Sequence, residues 1–326
     1  MKIKRGMTLL NASGDIDISS TGYRYAIDTM TYIRAQVIKQ KFFELSIADY
    51  IPVDVGEAAW KSQVVQNLEF LEGGSFKDGF VNQGNSRRAQ VSAALGQMAM
   101  PTMTWTKKAG WTIAEIEESA NVGNWDVVEA KLRSLKKNWD LGIQEGAFTG
   151  FTPELTGFLN NATVNINTTL IDEAISSMDA TEFQTFLAGL LPAYYANSNS
   201  TVLPDTFVIP TDDYLGLGVA ASPTYPNISK LEYLGNFLKK MTANEGFQIK
   251  PLTYAQAALN PDAKDRYALY RNDPEVMKLS IPVDLTMNQA YTVNGFDFEQ
   301  LAYGQISGVL ITRPREVLYI DKTATT

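Results

Sequence analysis

Three close pairs of carboxylates carry whatever acid–base or metal chemistry this chain could perform: Asp212 with Asp213, Glu115 with Glu118, and Asp15 with Asp17. Paired carboxylates suffice for glycoside hydrolysis or for a Mg²⁺ or Ca²⁺ site, because both need only oxygen ligands. Acids next to predicted helix starts are also what end-capping and the helix dipole select, and no pair has the surrounding signature of a hydrolase. The 326 residues contain neither His nor Cys. That excludes imidazole bases, thiolate nucleophiles, disulfides, and zinc or iron–sulfur sites built on those ligands. Gly216-Leu-Gly218-Val-Ala-Ala221 can be stretched into a dinucleotide fingerprint, but its glycines fall inside a predicted helix, where close packing explains them. No Gly-x-x-x-x-Gly-Lys-Ser/Thr string occurs. No catalytic, cofactor-binding or metal-binding residue is assigned, and the chain reads as a non-enzyme without cofactors.

Lys and Arg number 28 against 36 Asp and Glu, a net charge of −8. An acidic chain with scattered basic pairs lacks the clustered cationic surface that neutralises phosphates, so sequence-specific nucleic-acid binding is not expected. A 45% hydrophobic fraction is ordinary globular composition. No apolar run approaches the ~20 residues needed to cross a bilayer, so no membrane association is expected. The N-terminus starts basic, but Gly6 to Ser20 is polar, unlike a signal peptide; with no Cys present, the chain reads as cytoplasmic. Five Asn-x-Ser/Thr sequons (Asn11, Asn161, Asn167, Asn199, Asn227) read as chance in an Asn- and Thr-rich chain. Met98, Met100 and Met103 suit irregular contacts in a core or between subunits.

The elements that must position these residues follow an unusual order. Met1 to about Ser20 is small and polar and reads as an extended arm; Tyr23 to Tyr50 has mixed helical spacing; Ile51 to Asp54 is extended. Val64 to Phe70 and Gln90 to Trp105 read as two strands around the turn chemistry of Gly73 to Gly79. Such a hairpin holds too few apolar residues to be stable alone and must lie on a neighbour. Thr112-Ile-Ala-Glu115 is a capping box. Asn124 is placed to cap a long helix to about Phe148, with Val128, Leu132, Leu135, Trp139 and Gly142 on one face and an i,i+4 pair of Glu129 with Arg133. Further helices are expected from Asp179 (with a kink at Pro192), over Asp212 to Ala221, and over Ile228 to Met241 with Leu231, Leu234, Leu238 and Met241 together. Strands are expected at Asp205 to Pro210, Phe247 to Leu252, Tyr267 to Arg271, Val276 to Ile281, Phe296 to Ala302, Gly308 to Arg313 and Val317 to Asp321. The fold class is α+β.

An arm, a long hairpin, one long helix, an α/β region and a return to strands suit a shell tile better than a compact monomer. The chain resembles tailed-bacteriophage major capsid proteins of the encapsulin-like family, with the fold first seen in the Hong Kong 97 phage. The resemblance lies in Glu145-Gly-Ala-Phe-Thr-Gly150 followed by Gly157-Phe-Leu-Asn-Asn161, in Pro204-Asp-Thr-Phe-Val-Ile-Pro210, in Tyr270-Arg-Asn-Asp-Pro274 to Ile281-Pro282, and in Gly308-Val-Leu-Ile-Thr-Arg-Pro314. It spans roughly residues 140 to 320, while the first half matches in element order. It implies an N-terminal arm over 1–57, an E-loop over 58–106, a P-domain with its spine helix over 107–150, an A-domain over 151–290 and return strands of the P-domain over 291–326.

It further implies homo-hexamers and pentamers of an icosahedral shell around double-stranded DNA, with portal, scaffold and decoration or cement proteins as partners. The virion is the implied location, with assembly in the host cytoplasm. The absence of a long charged helical leader implies that no scaffolding domain is fused to the chain. Glu69, Glu72, Lys77, Arg87 and Arg88 are the candidate intersubunit contacts of the E-loop. Lys61 and Lys77 lie in the same loop, but no partner Asn is identifiable and no crosslink is predicted. Three other readings stay open: an encapsulin-type compartment shell with an enzyme as cargo, a carboxylate-dependent hydrolase, and a carbohydrate-binding virion protein.

Overall fold

The computed structural model describes residues 45–72, 92–121, 126–151, 155–222 and 225–322. Residues 1–44 of the expected arm, with Asp15 and Asp17, the Gly73 to Gly79 turn, Lys77, Arg87, Arg88 and Asn124 lie outside them. After a 3-10 turn at Ile47–Asp49 come β1 (Val53–Val55), β2 (Gln63–Glu72) and the 21-residue β3 (Ser92–Thr112). β2 and β3 form an antiparallel ladder from Gln63 opposite Pro101 to Glu72 opposite Ser92. β3 runs straight into α1 (Ile113–Asn121). There the capping box forms, Thr112 N–H donating to Glu115 Oε2 and Glu115 N–H to Thr112 Oγ1, both at 3.1 Å.

α2 (Val127–Phe148) has 22 residues and is about 33 Å long. Its start differs from the expected cap at Asn124. Asp126 Oδ1 accepts the N–H groups of Val128 and Glu129 at 2.8 and 3.1 Å, and a carboxylate there satisfies otherwise unpaired amides and complements the helix dipole. Glu129 and Arg133 form the expected ion pair.

Next come β4 (Asn165–Asn167) and α3 (Ala180–Asn197). Asp179 and Glu182 complete a second capping box. α3 continues through Pro192; Pro192 and Ala188, whose carbonyl loses its amide partner, both lie on the exposed side, where water can satisfy it. β5 (Thr206–Pro210) is buried throughout. α4 (Thr211–Gly216) is shorter than the helix expected to Ala221, because Ala220–Ser222 instead forms β6, a hairpin partner of β7 (Tyr225–Ser229). α5 (Lys230–Thr242) follows directly from β7. Leu234 and Leu238 are buried on it, whereas Met241 is exposed, departing from the expected apolar face. The remaining strands are β8 (Gln248–Leu252), β9 (Arg266–Tyr270), β10 (Met277–Ile281), β11 (Val283–Met287), β12 (Tyr291–Thr292), β13 (Asp297–Ser307), β14 (Val309–Ile311) and β15 (Val317–Asp321). β11 and β12 were not anticipated, and β13 extends well past Ala302.

The chain forms two compact units. The larger comprises Ser46–Thr104, Gly142–Asp284 and Gln305–Thr326. Its main sheet has the order β4-β15-β9-β5-β8, with β4/β15 and β5/β8 parallel and the two inner pairings antiparallel. A second sheet has the order β1-β10-β14. α3 and α5 bury Phe183, Leu187, Leu190, Tyr194, Leu234 and Leu238 with Phe207, Tyr267 and Leu318 of the main sheet, and Tyr214 of α4 packs against them. At the end of the β9/β15 pairing, buried Arg266 meets buried Asp321 through two parallel bonds, Nε to Oδ1 at 2.7 Å and Nη2 to Oδ2 at 2.8 Å. Arg266 also donates to the Leu159 carbonyl.

The smaller unit comprises, among the described residues, chiefly Trp105–Leu141 and Leu285–Gly304. Ala109, Trp111, Leu135 and Ala302 form its centre, with Trp105, Val128, Leu132 and Phe298 packed against them. Trp139 lies against Gly304, where any Cβ would collide with the indole. No described helix is long and apolar enough to cross a membrane.

Candidate functional site

In each of the two acidic pairs among the described residues, one member is engaged in structural contacts. Asp213 is buried, and its carboxylate accepts the Ile175 and Ser176 amides at 3.0 and 2.7 Å and the Tyr267 hydroxyl at 2.7 Å, whereas Asp212 is exposed. Burial, then the Asp213 charge, pushes the Tyr267 phenol far above its ordinary range. Lys230 pins the same loop from the other side, its ammonium donating to the carbonyls of Ser176 and Met178 at 2.7 and 2.6 Å, and burial lowers its pKa. Asp213 is thus buried and already accepts three donors. Glu115 is held by Lys131 at 2.8 Å, while Glu118 is exposed; the Lys131 hydrogen bond lowers the Glu115 pKa. Among the described residues no group of three or more His, Cys, Asp or Glu is placed to hold a metal.

Gly216 is explained by packing, as a Cβ there would sit 2.6 Å from Ser176 Cβ. Two sequons are Asx turns: Asn161 Oδ1 accepts the Thr163 amide and hydroxyl, and Asn167 Oδ1 does the same for Thr169.

Among the described residues, the β2–β3 hairpin leaves much apolar surface exposed, and β2 is the terminal strand of its sheet. One face carries Val65 opposite Ala99, Asn67 opposite Gln97 and Glu69 opposite Leu95, all exposed, with Leu95 71% accessible. Asn67 Oδ1 accepts from the Gln97 amide at 3.1 Å. The other face carries Val64, Gln66, Leu68 and Phe70 opposite Met100, Met98, Gly96 and Ala94. The Phe70 ring covers Gly96 and remains 57% accessible. Met100 alone of the three methionines is buried, its sulfur beside Gly308; Met98 is half-buried and Met103 exposed. Of the predicted contact residues, Glu69 stands exposed beside Leu95, and the Glu72 backbone pairs with Ser92.

The hairpin is tied to the larger unit at its root. Gln305 is 4% exposed and uses its whole amide: Oε1 accepts the Trp60 N–H, while Nε2 donates to the Lys61 carbonyl and to Thr102 Oγ1, each at 2.9 Å. The Thr102 hydroxyl donates in turn to the Lys61 carbonyl, and its amide bonds the Ser62 carbonyl at 3.0 Å. Just before β2 the chain takes left-handed backbone at Gly56, Ala58 and Trp60, with φ of 88°, 58° and 61°. For the two non-glycine residues that conformation costs ~1–2 kcal/mol each. Sequence reasoning missed this cluster. Its one visible signal was a lone amide, Gln305, in the uncharged stretch between Ala302 and Val309.

A family model described as Major capsid protein matches residues 78–323. No curated protein sequence matches the chain significantly. Among solved structures, the capsid of Myoviridae Phage XM1 aligns with a TM-score of 0.73 at 16% identity, covering 90% of this chain and 97% of that one. The capsid of a native GTA particle gives 0.56 at 11% identity, covering 94% and 98%. A virus-like particle from Pyrococcus furiosus gives 0.51 at 18% identity, covering 85% and 92%.

Proposed function

Because this chain belongs to the major capsid protein family, and so builds a particle shell from copies of itself, we propose that it closes into an icosahedral shell of hexamers and pentamers around double-stranded DNA, with the β2–β3 hairpin as its main reach onto neighbours. The observation that carries this reading is the hairpin's exposed apolar load. Val65, Phe70 and Leu95 stand in solvent on a two-stranded ribbon, and full burial of such side chains is worth ~1.5–3 kcal/mol each. A ribbon of this kind is marginal alone, and repeated identically on every copy it adds many weak contacts into one closed assembly.

In this reading residues 1–57 are the arm, 58–106 the E-loop, 107–150 the P-domain with α2 as its spine helix, 151–290 the A-domain and 291–326 the return strands. Glu69 and Glu72 of one copy face Lys77, Arg87 and Arg88 of another; exposed pairs of this kind contribute ~0–1 kcal/mol each, so they set register while apolar burial supplies the free energy. The acidic chain repels DNA instead of gripping it, which suits a container lining. Portal, scaffold and decoration proteins complete the particle.

An acid-catalysed hydrolase is disfavoured, since Asp213 is spent on three donors and Asp212 points elsewhere. The test is negative-stain microscopy with light scattering on the chain expressed alone. Shells, tubes or hexamers and pentamers are expected, and a monodisperse monomer at high concentration across salt would overturn the reading. Particle size and the presence of packaged nucleic acid separate a DNA container from an enzyme-filled compartment.

A further inference from the structure

The root of the hairpin holds more than a fixed strand needs. Three of five consecutive residues, Gly56, Ala58 and Trp60, sit in left-handed backbone, and the chain then enters β2 through a cluster that a single buried amide organises. The orientation of that amide is fixed chemically: the Trp60 N–H can only donate, so it must face Oε1, and Nε2 is left to serve the Lys61 carbonyl and Thr102 Oγ1. Gln305 thereby ties both strands of the hairpin, at Trp60 and Lys61 before β2 and at Thr102 in β3, to β13. A strained backbone persists only where its surroundings over-determine it; here the Gln305 amide holds Trp60 and Lys61, while Lys61 N–H donates to the Ala58 carbonyl at 3.1 Å and Gly56 N–H to the Ile281 carbonyl at 3.0 Å.

We propose that Gln305 is a positioning residue for shell formation. Its amide fixes the direction in which the β2–β3 hairpin leaves the larger unit, and that direction sets the angle between neighbouring copies and hence the curvature of the shell. The proposal rests on the assembly reading above. Without the amide, Ala58 and Trp60 relax toward ordinary backbone, the two strands pivot about their root, and neighbours are met over a range of angles.

The experiment compares the full chain with Gln305→Ala and with Leu238→Ala, a core variant of the same unit, at temperatures chosen so that both variants are equally far below their Tm. The readouts are particle diameter by electron microscopy and amide exchange on the unassembled subunit. For Gln305→Ala, exchange at Trp60 and Thr102 should rise at least tenfold while β15 is unchanged, and the spread of particle diameters should at least double or open sheets and tubes should appear. Leu238→Ala should keep the parent diameter. Gln305→Ala particles of parent uniformity, or equal broadening in both variants, would overturn the proposal. Should Gln305→Ala fail to fold, Thr102→Val removes one arm of the cluster and must likewise widen the spread of particle diameters; particles of parent uniformity from it would overturn the proposal. If the parent chain forms no particle at all, the assembly reading fails by itself. Exchange on the monomer then decides the clasp: a rise confined to 58–62 and 102 supports it, and a rise spread over the unit overturns it.

Discussion

At the scale of single residues, charge here ranges from fully occupied to left in water. Asp213 belongs to the first kind. Asp213→Ala would leave two amides and the Tyr267 hydroxyl unpaired beside the Lys230 ammonium, and we expect a loss of at least ~3 kcal/mol in urea denaturation. Asp321→Ala removes the two parallel bonds to buried Arg266 but leaves its ion pair with Asp262 at 2.8 Å and its bond to the Leu159 carbonyl, so a smaller loss of about 1–3 kcal/mol is expected in the same assay. Glu115 lies between the two, paired with Lys131 yet partly in solvent. Lys131 holds its carboxyl below the ordinary value of 4.5, so its contribution is complete at neutral pH and disappears as pH falls below about that value through the depressed folded-state pKa. The side chain is 38% exposed, which limits the effect to under ~1 kcal/mol. Thermal denaturation at pH 7 and pH 3.5 checks this, with Glu115→Gln less acid-sensitive than the parent. Asp213 also marks a limit of sequence reading: its neighbour Asp212 suggested a catalytic pair, and only the fold sends the two side chains in different directions.

At the scale of elements, what was legible in the sequence is what local chemistry determines. The boxes Thr112 to Glu115 and Asp179 to Glu182 each close within four residues, so their patterns sufficed. α4 was overextended because the apolar string from Leu215 to Ala221 fits a helix or a strand equally, and β7 decides the matter by pairing with β6. The clasp was illegible for the opposite reason: Gln305 and Trp60 are 245 residues apart, and no local pattern signals a partner at that distance. Ala243 ends α5 in left-handed backbone with φ 52° and ψ 30°. Ala243→Gly should therefore stabilise the chain by ~0.5–1 kcal/mol in thermal melts, since glycine adopts that conformation without steric cost.

At the scale of the whole molecule, the competition is between apolar contact and the repulsion of copies that each carry −8. If exposed residues such as Leu95 and Phe70 supply the free energy, raising salt screens the repulsion over a Debye length of ~10 Å at 0.1 M and assembly improves. Light scattering should then rise with ionic strength, whereas a fall would assign the dominant role to the charges around Glu69. Leu95→Asp should abolish particles while changing the Tm of the free subunit little, because the side chain is 71% accessible before assembly.

That β2 ends its sheet among the described residues has a consequence for timing. A terminal strand offers a row of amides and carbonyls to any extended chain that arrives, and apolar side chains on the same ribbon make a wrong partner adhesive. A subunit waiting in a crowded cell is therefore a perishable intermediate, lost to irregular fibrous aggregates at a rate that climbs with its concentration. Yield should depend on how soon each copy is consumed by a growing edge, so that slow synthesis beside abundant nuclei gives more finished particles than a burst of the same total amount.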